Sequence, residues 1–249
     1  MRVLITGAGS GIGKSIAIEY AKCGYDLILV ARDKAKLNEV KNEIGNKVKV
    51  EICSIDLANI DNCKKLFNKY RDIDILINNA GFGLFGEFNS TDLDKDLNMI
   101  DTNVKALHCL MALYLDDMIK KDKGKILNVA SIAGFMPGPL MSTYYATKNY
   151  VVSLSEAVRE ELKRRKSHVV LSILCPGPVK TNFDNIAGVS FSLNGKTSEY
   201  VAKYTVKQLN KNKFYIVPGI DIKILRFVSG IVPNSLVSKI VYYQQRRKK

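Results

Sequence analysis

Thr6-Gly7-Ala8-Gly9-Ser10-Gly11-Ile12-Gly13 is the stretch on which the reading of this chain turns. It follows the apolar run Arg2 to Thr6, which reads as a strand. It precedes Ile12 to Cys23, where Ile16, Ala17, Tyr20 and Ala21 recur on one face of a helix. Glycines spaced Gly-x-x-x-Gly-x-Gly between strand and helix have a physical use. Gly7 permits a tight turn, Gly11 lets backbone come close to a bound group, and Gly13 lets helix settle on strand. The helix N-terminus then presents unpaired N–H groups, a seat for a pyrophosphate. A glycine turn with only a structural role is the alternative at this point.

The alternation continues outward. Asp26 to Ala31, Val48 to Cys53, Ile73 to Asn78, Lys125 to Ser131, Val169 to Cys175 and Phe214 to Val217 read as further strands. Lys34 to Ile44, Ile60 to Tyr70, a long stretch from Leu93 to Lys120, and Ser142 to Arg165 read as helices. Near-continuous apolar strands separated by helices predict an α/β fold with a parallel sheet covered on both faces. With no linker, repeat or low-complexity block, residues 1–221 read as one domain and residues 222–249 as a basic amphipathic extension packed on it. Pro178 to Thr197 reads as irregular. Lying just beyond a strand's C-terminal end, where ligands bind in open α/β sheets, it is a candidate lid.

Composition narrows the function. The chain has 249 residues, 47% of them hydrophobic, enough for one substantial core. Its apolar runs fall far short of the ~18 residues that span a bilayer. The immediate opening strand predicts no secretory signal, and five scattered cysteines predict reduced thiols in a cytoplasmic protein. No cysteine or histidine spacing suits a metal, and His108 and His168 stand isolated. The net charge is +14, and residues 222–249 carry seven basic side chains and no acidic one. Such a tail attracts anionic surfaces, so peripheral contact with an anionic membrane is one expectation. Without a reader motif, no specific nucleic-acid binding is expected.

Tyr144 and Lys148 stand four residues apart, one helical turn, and Ser131 lies thirteen before the tyrosine. A cation beside a phenol favours the phenolate, lowering a pKa of about 10 toward neutrality, where the tyrosine can exchange a proton with substrate. Ser131 can bond the same reacting oxygen. Tyr145, three residues from Lys148, is a rival for Tyr144. The second strand ends in Ala31-Arg32-Asp33. An acid at that tip would hold ribose hydroxyls, whereas the Arg32 guanidinium would pair with a 2′-phosphate and favour NADP(H) over NAD(H). Asp33, if turned inward, would oppose that preference.

Taken in order, Thr6 to Gly13, Asp56-Leu57, Asn78 to Gly81, Asn103, Ser131, Tyr144 to Lys148 and Pro176-Gly177 resemble the short-chain dehydrogenase/reductase family in its compact form, to about Gly219. The resemblance implies a single-domain, Rossmann-like, doubly wound parallel sheet of seven strands. It implies Tyr144 as general acid or base, Lys148 as its activator and ribose ligand, Ser131 as the group orienting the reacting oxygen, and Asn103 as support for a water-linked proton route. It assigns Gly7, Gly9, Ser10, Gly11, Ile12, Gly13, Arg32, Asp56, Leu57, Asn79, Ala80, Gly81, Pro176, Gly177, Val179 and Thr181 to the cofactor, with no metal. A homodimer or homotetramer through residues 93–120 and 142–165 is implied as well.

Phe82, Leu84, Phe85, Phe88, Phe135, Met136, Leu140 and Met141 suggest a lipophilic ketone or secondary alcohol, unless they are core or dimer contacts. The expected function is NADP(H)-dependent hydride transfer on such a small-molecule carbonyl or alcohol. A 3-oxoacyl-carrier-protein reductase and a non-catalytic NADP(H)-binding regulator are the alternatives. The C-terminal extension, two amphipathic helices broken at Pro233, is expected to meet a membrane, cap the substrate pocket or pack on another subunit.

Overall fold

The computed structural model describes residues 1–181, 183 and 195–246. In chain order the elements are β1 (Arg2–Thr6), α1 (Gly11–Lys22), β2 (Asp26–Ala31), α2 (Lys34–Ile44), β3 (Val50–Ser54), α3 (Ile60–Lys69), β4 (Ile75–Asn78), α4 (Leu93–Ile100), α5 (Leu107–Lys120), β5 (Lys125–Val129), α6 (Ser142–Arg164) and β6 (Val170–Leu174). They continue as β7 (Val179–Lys180), β8 (Lys196–Thr197), α7 (Ser198–Asn210), β9 (Tyr215–Ile216), α8 (Ile220–Ser229) and α9 (Asn234–Arg246).

Seven strands form one parallel sheet in the order β3-β2-β1-β4-β5-β6-β9. Side chains alternate across it, as a period of two requires. Leu4, Ile28, Leu76 and Ile126 face a core completed by α3, α5 and α6. Val3, Ile5, Leu27, Leu29, Ile75, Ile77 and Leu127 face a second core completed by α1, α2 and α7. Burying both faces is why the strands read as continuous apolar runs, each fully buried Leu or Ile contributing about 1.5–3 kcal/mol. The single-domain, seven-stranded, doubly wound expectation is met. Chain order reverses between β1 and β4, and the crevice outside their C-terminal ends is where such a sheet holds ligands.

Three departures matter. Helix α7 was not expected, although Val201, Ala202, Val206 and Leu209 bury one of its faces. The predicted long helix over 93–120 is interrupted by a π-helical stretch, Asp101–Ala106, that holds Asn103. The ends of the segment expected to be irregular pair as a short parallel ribbon, β7 with β8. The proposed lid itself falls mostly on residues 184–194, outside the described residues, as do the last three basic residues of the tail.

Caps fix several helix starts. Asp33 accepts from Lys36 N at 3.1 Å to begin α2, and Asn59, Asp92 and Thr197 do the same for α3, α4 and α7. Ser10 precedes α1 in extended conformation and makes no side-chain cap.

Candidate active site

Thr6 ties together the two strand ends that flank the crevice. Its Oγ1 accepts from the N–H of Asn79 and of Ala80, both at 2.9 Å, and donates to Ile77 O. Asn79 Nδ2 donates back to Thr6 O and Gly7 O, at 2.9 and 3.1 Å. A Cβ on Gly13 would stand 2.4 Å from both Asn79 Nδ2 and Gly7 O, and Gly7 has a φ of 64°. The glycine motif is therefore needed by the packing of turn, helix and Asn79 together. Thr6, at the head of the glycine motif, is therefore a positioning residue.

Helix α6 brings the reactive side chains to this crevice. Tyr144 and Lys148 share a face, with the Lys148 Nζ 5.8 Å from the Tyr144 ring centroid. Burial pushes the Tyr144 phenol up to about 12, against a hydrogen bond from Ser131 that favours the phenolate. In the protein alone burial wins, so the lowered phenol pKa expected from sequence is not met. Burial pulls the Lys148 ammonium down to about 8, and that ammonium donates to Val129 O at 3.0 Å. Ser131 sits at the start of a short 3₁₀ turn after β5, its hydroxyl accepting from Ala133 N at 3.2 Å. Asn149 fastens that turn to α6, donating to Ala133 O, Met136 O and Tyr145 O.

Asn103 is buried behind Gly81. It accepts from Phe82 N at 3.1 Å and donates to Phe82 O and Thr147 Oγ1, at 2.9 and 3.1 Å. A Cβ on Gly81 would lie 2.8 Å from Asn103 Oδ1 and 3.6 Å from Lys148 Nζ, so asparagine and lysine approach each other across that glycine. The π-helical stretch displaces the ladder at this residue, a distortion that recurs at functional sites.

A cavity of about 420 Å³ joins these groups. Gly7, Ser10, Gly11, Ile12, Asn79 and Gly81 line it near the sheet, followed by Ser131, Tyr144, Lys148, Pro176, Gly177, Val179 and Thr181. Gly9, Gly13 and Ala80 belong to the same turns. Three of the expected cofactor residues stand apart from both the cavity lining and those turns. Leu57 is buried in the core with α3 and α5, Asp56 is exposed and accepts from Ala58 N, and Arg32 is exposed at the tip of β2. The Leu57 side chain is thus committed to packing, not to a ligand face. Asp33 caps α2 through the Oδ1 that accepts from Lys36 N. Lys36, one turn into α2, brings its Cβ within 3.3 Å of where a Gly9 Cβ would stand, a second cation near the glycine turn.

The opposite wall was the least foreseen. Ile222, Leu225 and Val228 of α8, with Val237, Ile240, Val241 and Gln245 of α9, line the same cavity beside Met136 and Met141. Ile222 Cδ1 lies 2.4 Å from where a Gly177 Cβ would be. Of the three destinations weighed for the C-terminal extension, the pocket wall is the one visible within a single chain. Tyr145 faces this wall, its hydroxyl accepting from Gln245 Nε2 at 2.9 Å, while Tyr144 meets Ser131. Both tyrosines line the cavity. Phe88 is largely exposed, and Phe135 packs under Arg226 instead of lining the pocket. Leu140, beside Met141, has a φ of 66°, a left-handed conformation rare for leucine.

The donor set fits a dinucleotide. An uncapped helix N-terminus suits a pyrophosphate, glycines leave space where a side chain would intrude, and a buried ammonium stands beside the phenol. Among the described residues no group of three His, Cys, Asp or Glu could hold a metal.

Comparison with known proteins bears on the whole chain. The family profile described as short chain dehydrogenase matches residues 1–187. A very-long-chain 3-oxoacyl-CoA reductase of Bos taurus is 35% identical over 249 residues, covering 96% of this chain and 78% of its own. A short-chain dehydrogenase from Sphingobium yanoikuyae, solved in complex with NADPH, is 30% identical, with 88% of each chain covered and a TM-score of 0.82. A short-chain dehydrogenase/reductase from Burkholderia phymatum, solved with NAD, shares the fold at 24% identity and a TM-score of 0.81, over 90% of this chain and 91% of its own.

Proposed function

The chain belongs to the short-chain dehydrogenase/reductase family, and on that premise we propose that it is an NADPH-dependent reductase of a long, lipophilic ketone, with the 3-oxoacyl class as the leading substrate. The observation that carries this reading is the continuity of the cavity. One end is glycine turn and helix terminus, the middle is Ser131, Tyr144 and Lys148, and the far end is an aliphatic wall from α8 and α9. The reductase of Bos taurus, named for very-long-chain 3-oxoacyl-CoA, supports the substrate class.

When bound, the nicotinamide supplies a hydride to the carbonyl carbon. Tyr144 gives its phenolic proton to the carbonyl oxygen, so no free alkoxide leaves the site. Ser131 holds that oxygen in line with the phenol. Lys148, held at about 8, retains a proton near neutral pH and offers it toward the tyrosine. Asn103 braces the Phe82 peptide and the glycine that separates it from Lys148. Gly7, Ser10, Gly11, Ile12 and Gly13 would receive the pyrophosphate, with Asn79, Ala80, Gly81, Pro176, Gly177, Val179 and Thr181 around the nicotinamide half. Arg32, exposed and making no ion pair among the described residues, would take the 2′-phosphate, which supports NADPH over NADH. Asp56 would meet the adenine end.

NADPH oxidation against a panel of 3-oxoacyl thioesters and long-chain ketones tests the reading. Tyr144→Phe should lower kcat by about 10²–10⁴ while NADPH still binds by fluorescence titration. Absence of oxidation across the panel, or a Tyr144→Phe variant as fast as wild type, would refute it.

A specific observation supports peripheral membrane contact. Ile220, Phe227, Ile231 and Tyr243 are each more than 60% exposed on α8, α9 and their junction, interspersed with Lys223 and Lys239. Leu225, Val228 and Ile240 are half-exposed yet line the cavity, so the greasy surface and the pocket are continuous. Among the described residues no helix is long and apolar enough to cross a membrane. Exposed Leu93, Leu97 and Tyr150 on α4 and α6 support self-association through that face.

A further inference from the structure

Helix α9 carries a buried polar side chain that proton and hydride transfer do not use. Gln245 is 2% exposed and lines the cavity among Met136, Val237 and Val241. Its Nε2 donates to the Tyr145 hydroxyl at 2.9 Å, while its Oε1 is buried with no hydrogen-bond partner among the described residues. Folded proteins rarely leave a buried acceptor unpaired, because its lost hydration is not replaced.

Tyr145 is held firmly. A Cβ on Gly138 would lie 2.1 Å from its Cγ, so turn and ring are packed face to face. Its ring centroid is 6.1 Å from that of Tyr144. A phenol oxygen that accepts from Nε2 still has its own O–H to give. The wall therefore offers an acceptor and a donor side by side, next to the proton-donating tyrosine. If the amide turns over, Tyr145 donates to Oε1 and an N–H of Nε2 takes the unpaired place. In the first orientation the Tyr145 O–H can donate to a carbonyl oxygen while Oε1 accepts from a hydroxyl; with the amide turned over, a free N–H of Nε2 donates to the carbonyl instead. Neither member is charged, which suits a thioester, ester or amide carbonyl better than a free carboxylate.

We infer that Gln245 and Tyr145 form a receptor for a second oxygen of the substrate, selecting ketones that carry an uncharged carbonyl a few bonds from the reacting carbon over plain ketones of equal length. The inference rests on the reductase reading above and adds residues and a selection rule to it. The 1,3-dicarbonyl arrangement of a 3-oxoacyl thioester meets this rule.

The test pairs two substrates on the full-length chain with NADPH: a 3-oxododecanoyl thioester of N-acetylcysteamine and the plain ketone dodecan-3-one. For wild type, kcat/KM should favour the thioester. Gln245→Leu should lower kcat/KM for the thioester about tenfold, mainly through KM, and leave the plain ketone within about twofold. Tyr145→Phe, which removes one oxygen and keeps the ring, should give the same selective loss if Gln245→Leu does not fold. Equal losses on both substrates, or none on either, would overturn the receptor while leaving the reductase reading intact. Wild type that oxidises NADPH with neither substrate would sink both.

Discussion

Gly134→Ala probes how tightly the reactive helix is registered. Gly134 lies in the 3₁₀ turn that follows Ser131, and a Cβ there would stand 2.7 Å from the Lys148 carbonyl oxygen and 2.7 Å from Val152 Cγ2. Carbon and oxygen tolerate roughly 3.3 Å, so turn and helix must separate by about 0.6 Å. Val152 can rotate away, but a carbonyl inside the ladder of α6 cannot. Overpacking of this kind costs about 1–3 kcal/mol. In a domain of this size it lowers Tm by roughly 2–4 °C per kcal/mol. The same displacement moves Lys148 and Tyr144 relative to Ser131. Since a 1 Å misplacement can cost about 10²-fold, kcat should fall about tenfold. Differential scanning fluorimetry and NADPH oxidation read the two effects. Gly134→Ala combined with Val152→Ala should recover only part of each, because the carbonyl contact persists. A variant with wild-type Tm and kcat would show that the turn floats free of α6 and would refute the argument.

Other outcomes follow from the same geometry. Lys148 is held at about 8 against 10.5 for a free lysine, so between those values the unfolded chain binds the extra proton. Wild-type stability should therefore rise across that window relative to Lys148→Met in urea melts, and parallel pH profiles would contradict the buried-charge assignment. Arg32→Ala should reduce kcat/KM for NADPH roughly 10- to 100-fold and spare NADH; an unchanged ratio would remove the phosphate role. Replacing Phe227, Ile231 and Tyr243 together by Glu should abolish co-sedimentation with anionic liposomes, whereas pelleting equal to wild type, or none by wild type, would dismiss the membrane surface.

The sheet was legible because its strands are buried on both faces, so apolar runs marked six of them to within two or three residues. The seventh, β9, is only two residues long and lies inside the run Phe214 to Val217 that marked it. Helix α7 carried a usable pattern at Val201, Ala202, Thr205, Val206 and Leu209, but the reading stopped at the Gly- and Asn-rich segment before it. The π-helical stretch around Asn103 escaped notice, since one widened turn shifts the apolar face by only a single position within a long helical pattern. Tyr144, Lys148 and Ser131 could be chosen by spacing, but the phenol's raised pKa could not, because burial is a property of the assembled site. The least legible element was the far wall. Gln245 meets Tyr145 across one hundred residues of sequence, and no local pattern announces such a contact.

That wall has a practical bearing on how the protein is handled. Met1 leads into β1 at the rim of the sheet remote from the crevice, whereas Gln245 lies within a few residues of the other terminus. An affinity tag or fluorescent fusion joined behind α9 would hang from the helix that walls the pocket and should perturb the kinetics it was added to measure. The same tag joined ahead of β1 would stand at the rim of the sheet away from the crevice.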